Sequence, residues 1–62
     1  MDSTYIIYDN VEMAFFEAMP EDGKDGFYIT HNIDNAYQFS SKDEALDFAE
    51  KNIPAAVVLK WI

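Results

Sequence analysis

One stretch of this sequence carries a row of carboxylates at helical spacing. In SSKDEALDFAEKN, Asp43, Asp47 and Glu50 follow one another at separations of four and three residues. On a helix these separations form one stripe, with neighbouring side chains about 5–6 Å apart. This is near the phosphate spacing of a nucleic acid strand, so the stripe suits nucleic acid mimicry towards a basic protein. The alternative is the solvated side of an ordinary amphipathic helix, partly neutralised by an Asp47–Lys51 pair.

The negative charge extends well beyond this stripe. Twelve acidic residues face four basic ones, all lysines, which gives a formal net charge of −8. Such a charge favours a protein partner with a basic surface, and it disfavours direct contact with nucleic acid or an anionic membrane. The predicted partner-binding residues are the stripe, its neighbour in the helix and three acids of an earlier loop: Asp43, Asp47, Glu50, Glu44, Glu21, Asp22 and Asp25.

The groups that enzymes and metal sites need are scarce. His31 is the single histidine and there is no cysteine, so neither a histidine cluster nor a thiolate site for a metal can form. The segment EDGKDG lacks the ligand ladder of a calcium loop, and no glycine-rich phosphate loop or nucleophile elbow is present. The sequence therefore predicts a non-enzymatic protein with no catalytic residue, metal or cofactor.

Size and composition predict one small domain, residues 1–62. Sixty-two residues are near the lower limit for an unaided core, but half of them are apolar and 16% are aromatic.

The absence of cysteine fits a reducing cytoplasm. The start, MDSTYIIYDN, lacks the basic residues and long apolar run of a signal peptide, and no segment has the length of a membrane span. We therefore expect a cytoplasmic protein without membrane contact.

One helix and several strands must position these side chains. Ser41 followed by Glu44 forms a capping box, and Pro54 prevents continuation, so a helix is predicted from Ser41 to Asn52. The segment from Val11 to Met19 is open between strand and helix, although its alternation favours a strand. The expected fold is α+β, a mainly antiparallel sheet of three to five strands with one helix on one face, in the order ββ(β)αβ. The other predicted strands are Thr4–Tyr8, Gly26–His31 and Ala55–Ile62.

Apolar residues occupy both faces of these strands, which one helix cannot cover. The second face is either an ordinary open face, since much of any protein surface is apolar, or a face that contacts a copy of the chain, giving a homodimer, or another protein. Its expected members are Tyr5, Ile7, Val58 and Ile62. The predicted core under the helix consists of the alternate strand residues and the apolar helix residues: Ile6, Tyr8, Phe15, Phe27, Ile29, Phe39, Ala45, Leu46, Phe48, Ala49, Val57, Leu59 and Trp61.

The C-terminal half, NAYQFSSKDEALDFAEKN followed by AAVVLKWI, resembles small uncharacterised bacteriophage early proteins in its order of strand, capped helix and short terminal strand. The resemblance implies a phage protein that binds, and inhibits or redirects, a factor in the host cytoplasm. Together with the charge, it yields the hypothesis of an acidic inhibitor or modulator that occupies a basic site on a nucleic-acid-handling or other host protein. The alternative is an accessory subunit that forms oligomers through its sheet face.

Overall fold

The computed structural model describes residues 3–20 and 26–61. These residues form one antiparallel sheet in the strand order β3-β2-β1-β4, with a helix on one face. The predicted α+β fold is therefore confirmed, and the segment whose structure was open contains a strand. The elements are β1 (Tyr5–Asp9), β2 (Ala14–Ala18), β3 (Tyr28–Thr30), a 3-10 turn (Ile33–Asn35), α1 (Lys42–Asn52) and β4 (Ala56–Lys60).

The turn between β1 and β2 is held by a buried carboxylate. Asp9 accepts hydrogen bonds from the backbone N–H groups of Val11 at 2.9 Å and Glu12 at 3.4 Å. Such a side-chain cap replaces the partners that these amides lose when the chain leaves the sheet. Met13 completes the turn with a φ of 56°, in the left-handed region. The Asn10 side chain donates to the carbonyl oxygen of Ala55 at 2.9 Å, which ties the turn to the start of β4.

The extended segment 37–39 bonds to both central strands. β1 pairs with β2 at Tyr8 and Asp9, whereas the other end of β1 forms an isolated bridge between Tyr5 and Phe39. The backbone N–H of Tyr37 donates to the carbonyl oxygen of Phe16 in β2 at 2.9 Å. The residues just before the helix are thereby fixed against the sheet.

The helix begins where the sequence predicts. Ser41 is the N-cap, and its hydroxyl oxygen accepts the backbone N–H of Glu44 at 3.1 Å. At the other end Ile53 donates its backbone N–H to the carbonyl oxygen of Ala49 at 2.7 Å, and Pro54 follows. Ala45 and Ala49 are buried, which lets the helix approach the sheet closely.

The core lies between α1 and the sheet face that carries Ile7, opposite to the face that we predicted. Ile7 is fully buried there, and Tyr5 and Val58 are half-buried against the same cluster. The three residues therefore do not form an outer face, and Ile62 lies outside the described residues. The buried cluster also contains residues of β2, the 37–39 segment and the helix: Phe16, Phe39, Ala45, Ala49 and Ile53.

The placement of five residues beneath the helix is consequently wrong. Strand register pairs Tyr8 with Phe15 and Val57, and Ile6 with Leu59, so these five share the face away from the helix. Ile6 is nevertheless buried, as predicted for a core residue, with only 1% of its surface exposed, although it lies on the face away from the helix. Leu46, also predicted in the core, is 46% exposed at the side of the helix. Several predicted members do pack under the helix: Phe27, Phe39, Ala45, Phe48 and Ala49.

Candidate protein-binding site

A cleft of about 390 Å³ runs along one side of the helix. The helix forms one wall, and the end of β2 together with the 37–39 segment forms the floor and the other wall. This volume is near the lower end of the range of about 300–1,000 Å³ that is usual for ligand pockets, and it leaves room for one or two side chains of a partner. We call it the aromatic cleft, and it is lined by Phe16, Ala18, Met19, Tyr37, Phe39, Glu44, Asp47, Phe48, Lys51 and Asn52.

Four aromatic rings give the cleft its apolar character. The ring centroids of Phe16 and Phe48 lie 4.6 Å apart, and those of Tyr37 and Phe39 lie 4.7 Å apart. Phe16 and Phe39 are buried, Phe48 is half-buried and Tyr37 is 48% exposed. Each ring packs against at least one other at an edge or tilted angle, and Tyr37 presents an aromatic surface to solvent.

Helix geometry places charged groups at the rim of this apolar floor. Glu44 and Asp47 are three residues apart and both border the aromatic cleft. The Lys51 ammonium group lies 3.1 Å from the Asp47 carboxylate and forms an ion pair with it, as the sequence predicts. Both side chains of the pair are more than half exposed, so the pair contributes only about 0.3–0.5 kcal/mol and is easily exchanged.

The predicted acidic stripe is present on α1, but its residues do not all border the same groove. Asp43, Glu44, Asp47 and Glu50 are all exposed on α1. Only Glu44 and Asp47 border the aromatic cleft. Glu50 borders a second groove, of about 360 Å³, between the other side of the helix and β4, and Asp43 lines neither groove. The predicted loop acids lie outside the described residues: Glu21, Asp22 and Asp25.

The face of the sheet away from the helix forms a second apolar surface. Val57 is 42% exposed and Leu59 is 41% exposed. Val57 is paired with Tyr8, whose ring centroid lies 5.2 Å from that of Phe15, and Leu59 is paired with Ile6. We call the surface formed by Ile6, Tyr8, Phe15, Val57 and Leu59 the outer face. An apolar second face was predicted, but with the opposite set of strand residues.

Sequence reasoning did not identify the aromatic floor. Phe16, Tyr37 and Met19 were not among the predicted site residues. One signal was available in AYQF, where Tyr37 and Phe39 flank a single polar residue, since alternate residues of an extended segment share a face. The contact of this segment with Phe16, however, joins residues that are distant in the chain, and no local pattern indicates it.

No known protein family, curated protein or solved structure matches this chain. Across residues 3–20 and 26–61, no three acidic or histidine side chains come together as potential ligands of a metal ion. In the same part of the chain, no helix combines the length and the apolar character needed to cross a membrane. The site therefore has to be interpreted from its own geometry and charge.

Proposed function

We propose that this chain is a non-enzymatic protein-binding module that engages a basic surface on its partner. The observation that carries the proposal is the position of Glu44 and Asp47 at the rim of the aromatic cleft, on a chain with a net charge of −8. Carboxylates at a rim raise the association rate and select basic partners, whereas buried aromatic contacts supply most of the affinity. The aromatic cleft and the acidic helix provide both kinds of contact side by side.

The proposed target is a nucleic-acid-handling protein of a bacterial host, and the proposed effect is inhibition or modulation by occupying its nucleic-acid-binding site. Exposed carboxylates at positions 43, 47 and 50 on one helix support this, because a surface that binds phosphates also attracts carboxylates. The resemblance of the C-terminal half to phage early proteins supports the same class of target. The protein would then act in the host cytoplasm.

The test compares two variants that carry the same change in charge. In the first, Asp43, Asp47 and Glu50 are replaced by Lys; in the second, the exposed acids Glu12, Glu17 and Asp34 are replaced by Lys. The immobilised wild-type protein is used to capture and identify a partner from a bacterial lysate, and binding is then measured with the purified partner. We expect a basic partner, competition by DNA or RNA, and weaker binding as the salt concentration rises.

The first variant, with lysine at positions 43, 47 and 50, is the helix variant, and it should lose this binding. The second, matched variant should keep most of it. An acidic partner, or unchanged binding by the helix variant, would contradict the proposal. A loss of equal size in both variants would show that net charge acts without regard to position, which also contradicts it.

The exposed outer face favours a second candidate, an accessory subunit that forms homo-oligomers. Val57 and Leu59 are exposed on the face that also carries the Tyr8–Phe15 pair, and apolar residues grouped in this way mark contact surfaces more often than scattered ones do. Sedimentation of the wild-type chain and of Leu59→Lys over a range of concentrations tests this candidate. Salt separates the two functions, because screening of like charges strengthens self-association but weakens binding to a basic partner.

A further inference from the structure

We propose that the aromatic cleft is a subsite for one arginine side chain of the partner. This inference rests on the proposed function, since it names the chemical group that the site recognises. It goes beyond that function because a diffuse acidic surface would attract lysine and arginine alike, whereas this cleft distinguishes between them.

The floor of the aromatic cleft suits the planar, weakly hydrated guanidinium group. Tyr37 and Phe48 present ring surface to the cleft, above the buried rings of Phe16 and Phe39. Guanidinium groups stack on aromatic faces, and the methylene groups of arginine cover apolar surface. A compact and strongly hydrated ammonium group gains less from the same floor, so lysine is the poorer occupant.

The rim supplies the acceptors that a guanidinium group requires. Glu44 and Asp47 are one helical turn apart on the side of α1 that borders the cleft, with Cβ atoms about 5–6 Å apart by helix geometry. Five N–H donors in a fixed fork can bond to two carboxylates from a single position, which an apolar side chain in the same cleft cannot do. Charge complementarity therefore selects arginine over a purely apolar occupant.

Lys51 occupies part of this rim in the free protein. Its ammonium group lies 3.1 Å from the Asp47 carboxylate, and its side chain is largely exposed. An exposed pair of this kind is worth only a few tenths of a kcal/mol in a helix. An incoming guanidinium group can therefore replace the ammonium group at Asp47 at little cost.

The experiment uses three peptides that differ at one side chain. The pentapeptide acetyl-Gly-Gly-Arg-Gly-Gly-amide is titrated into the ¹⁵N-labelled chain of residues 1–62, beside versions that carry lysine or citrulline instead of arginine. Citrulline keeps the shape of arginine but removes its charge. We expect saturable amide shifts centred on Tyr37, Glu44 and Phe48, and affinity at least about tenfold lower for citrulline, the size expected for loss of a charged hydrogen bond. Equal shifts for arginine and lysine would overturn the arginine preference.

Matched double variants locate the binding. Glu44→Gln with Asp47→Asn removes both rim carboxylates, while Asp43→Asn with Glu50→Gln removes the same charge from helix positions outside the aromatic cleft. The rim variant should lose at least about tenfold in affinity for the arginine peptide, and the control less than about twofold. Tyr37→Leu, which leaves every charge in place, should weaken binding as well. Thermal melts establish that each variant is folded.

The outcomes separate this inference from the proposed function. Equal losses in the two double variants, or no loss in the rim variant, would overturn the arginine subsite even if the captured partner is basic. Conversely, if the arginine peptide binds the cleft as described but the captured partner is an acidic protein, the proposed function fails and the arginine subsite stands.

Discussion

Tyr37 donates its backbone N–H to the carbonyl oxygen of Phe16 at 2.9 Å, and the centroids of the two rings lie 5.8 Å apart. This bond joins the segment before the helix to β2, although the two residues are distant in the chain. It brings the exposed ring of Tyr37 beside the buried ring of Phe16, which in turn packs against Phe48 of the helix. The floor of the aromatic cleft is therefore part of the core, and the site and the fold share their stabilising contacts.

The first prediction concerns this shared role of Phe16. Phe16→Ala should lower the free energy of unfolding by about 3–5 kcal/mol, because it removes a buried ring that packs against four others. Total stability of a domain of this size is about 3–9 kcal/mol, so the variant is near the limit of folding. Urea unfolding followed by circular dichroism measures the loss. The control is Phe15→Ala, on the half-buried outer face, and a loss as large as that of Phe16→Ala would contradict the assigned core.

The second prediction tests the start of the helix. Ser41→Ala should lower stability by about 1 kcal/mol, because the backbone N–H of Glu44 loses the hydroxyl oxygen that accepts it at 3.1 Å. Ser40→Ala is the matched control, since Ser40 is the exposed neighbour and is not the N-cap. Equal midpoints of urea unfolding for the two variants would show that Ser41 does not cap α1.

The helix could be predicted from the sequence because its determinants are local. Ser41, Glu44 and Pro54 lie within or just beyond the element that they delimit, and each acts through neighbouring backbone groups. The same holds for the Asp47–Lys51 pair, which one helical turn brings together. By contrast, the aromatic cleft depends on which strand meets segment 37–39, and that choice is made by packing between distant residues. Only the acidic half of the site was therefore predicted.

The third prediction concerns the left-handed backbone of Met13, whose φ is 56°. This conformation costs a residue with a side chain about 1–2 kcal/mol, and glycine avoids most of that cost at an entropic loss of about 0.5–1 kcal/mol. The exposed Met13 side chain contributes little burial, so Met13→Gly should stabilise the domain by up to about 1 kcal/mol, or raise its Tm by about 4–8 °C. Met13→Val should lower the Tm, and a Tm for the glycine variant below that of Met13→Val would contradict the turn geometry.

The fourth prediction concerns competition at the rim of the aromatic cleft. Lys51→Gln should strengthen binding of the arginine peptide, because it frees the Asp47 carboxylate from its ion pair and removes a positive charge beside the cleft. The gain expected from a pair of this kind is about twofold. Lys42→Gln is the control, since it makes the same change in net charge at an exposed position outside the cleft. Weaker binding by Lys51→Gln than by the wild-type chain would show that Lys51 contributes to recognition.

The orientation of the sheet could not be predicted because its strands are apolar on both faces. Ile6 and Ile7 are identical side chains on opposite faces of β1, and both are at most 1% exposed. In β4, Val57 and Val58 present the same ambiguity. A shift of one residue exchanges every side chain of a strand between the two faces. The orientation is settled only in the folded chain, where Val57 is paired with Tyr8 and Ile7 and Val58 pack under α1.

The fifth prediction uses this pair of valines to test the orientation. Val58 packs against the cluster under the helix, whereas Val57 lies on the outer face and is 42% exposed. Val58→Lys should therefore strongly destabilise the domain, because the ammonium group must be buried or the helix displaced. Val57→Lys places the same charge where water can reach it, so its urea midpoint should stay close to that of the wild-type chain. The reverse order of stabilities would mean that the helix covers the other face, the one that carries Ile6 and Val57.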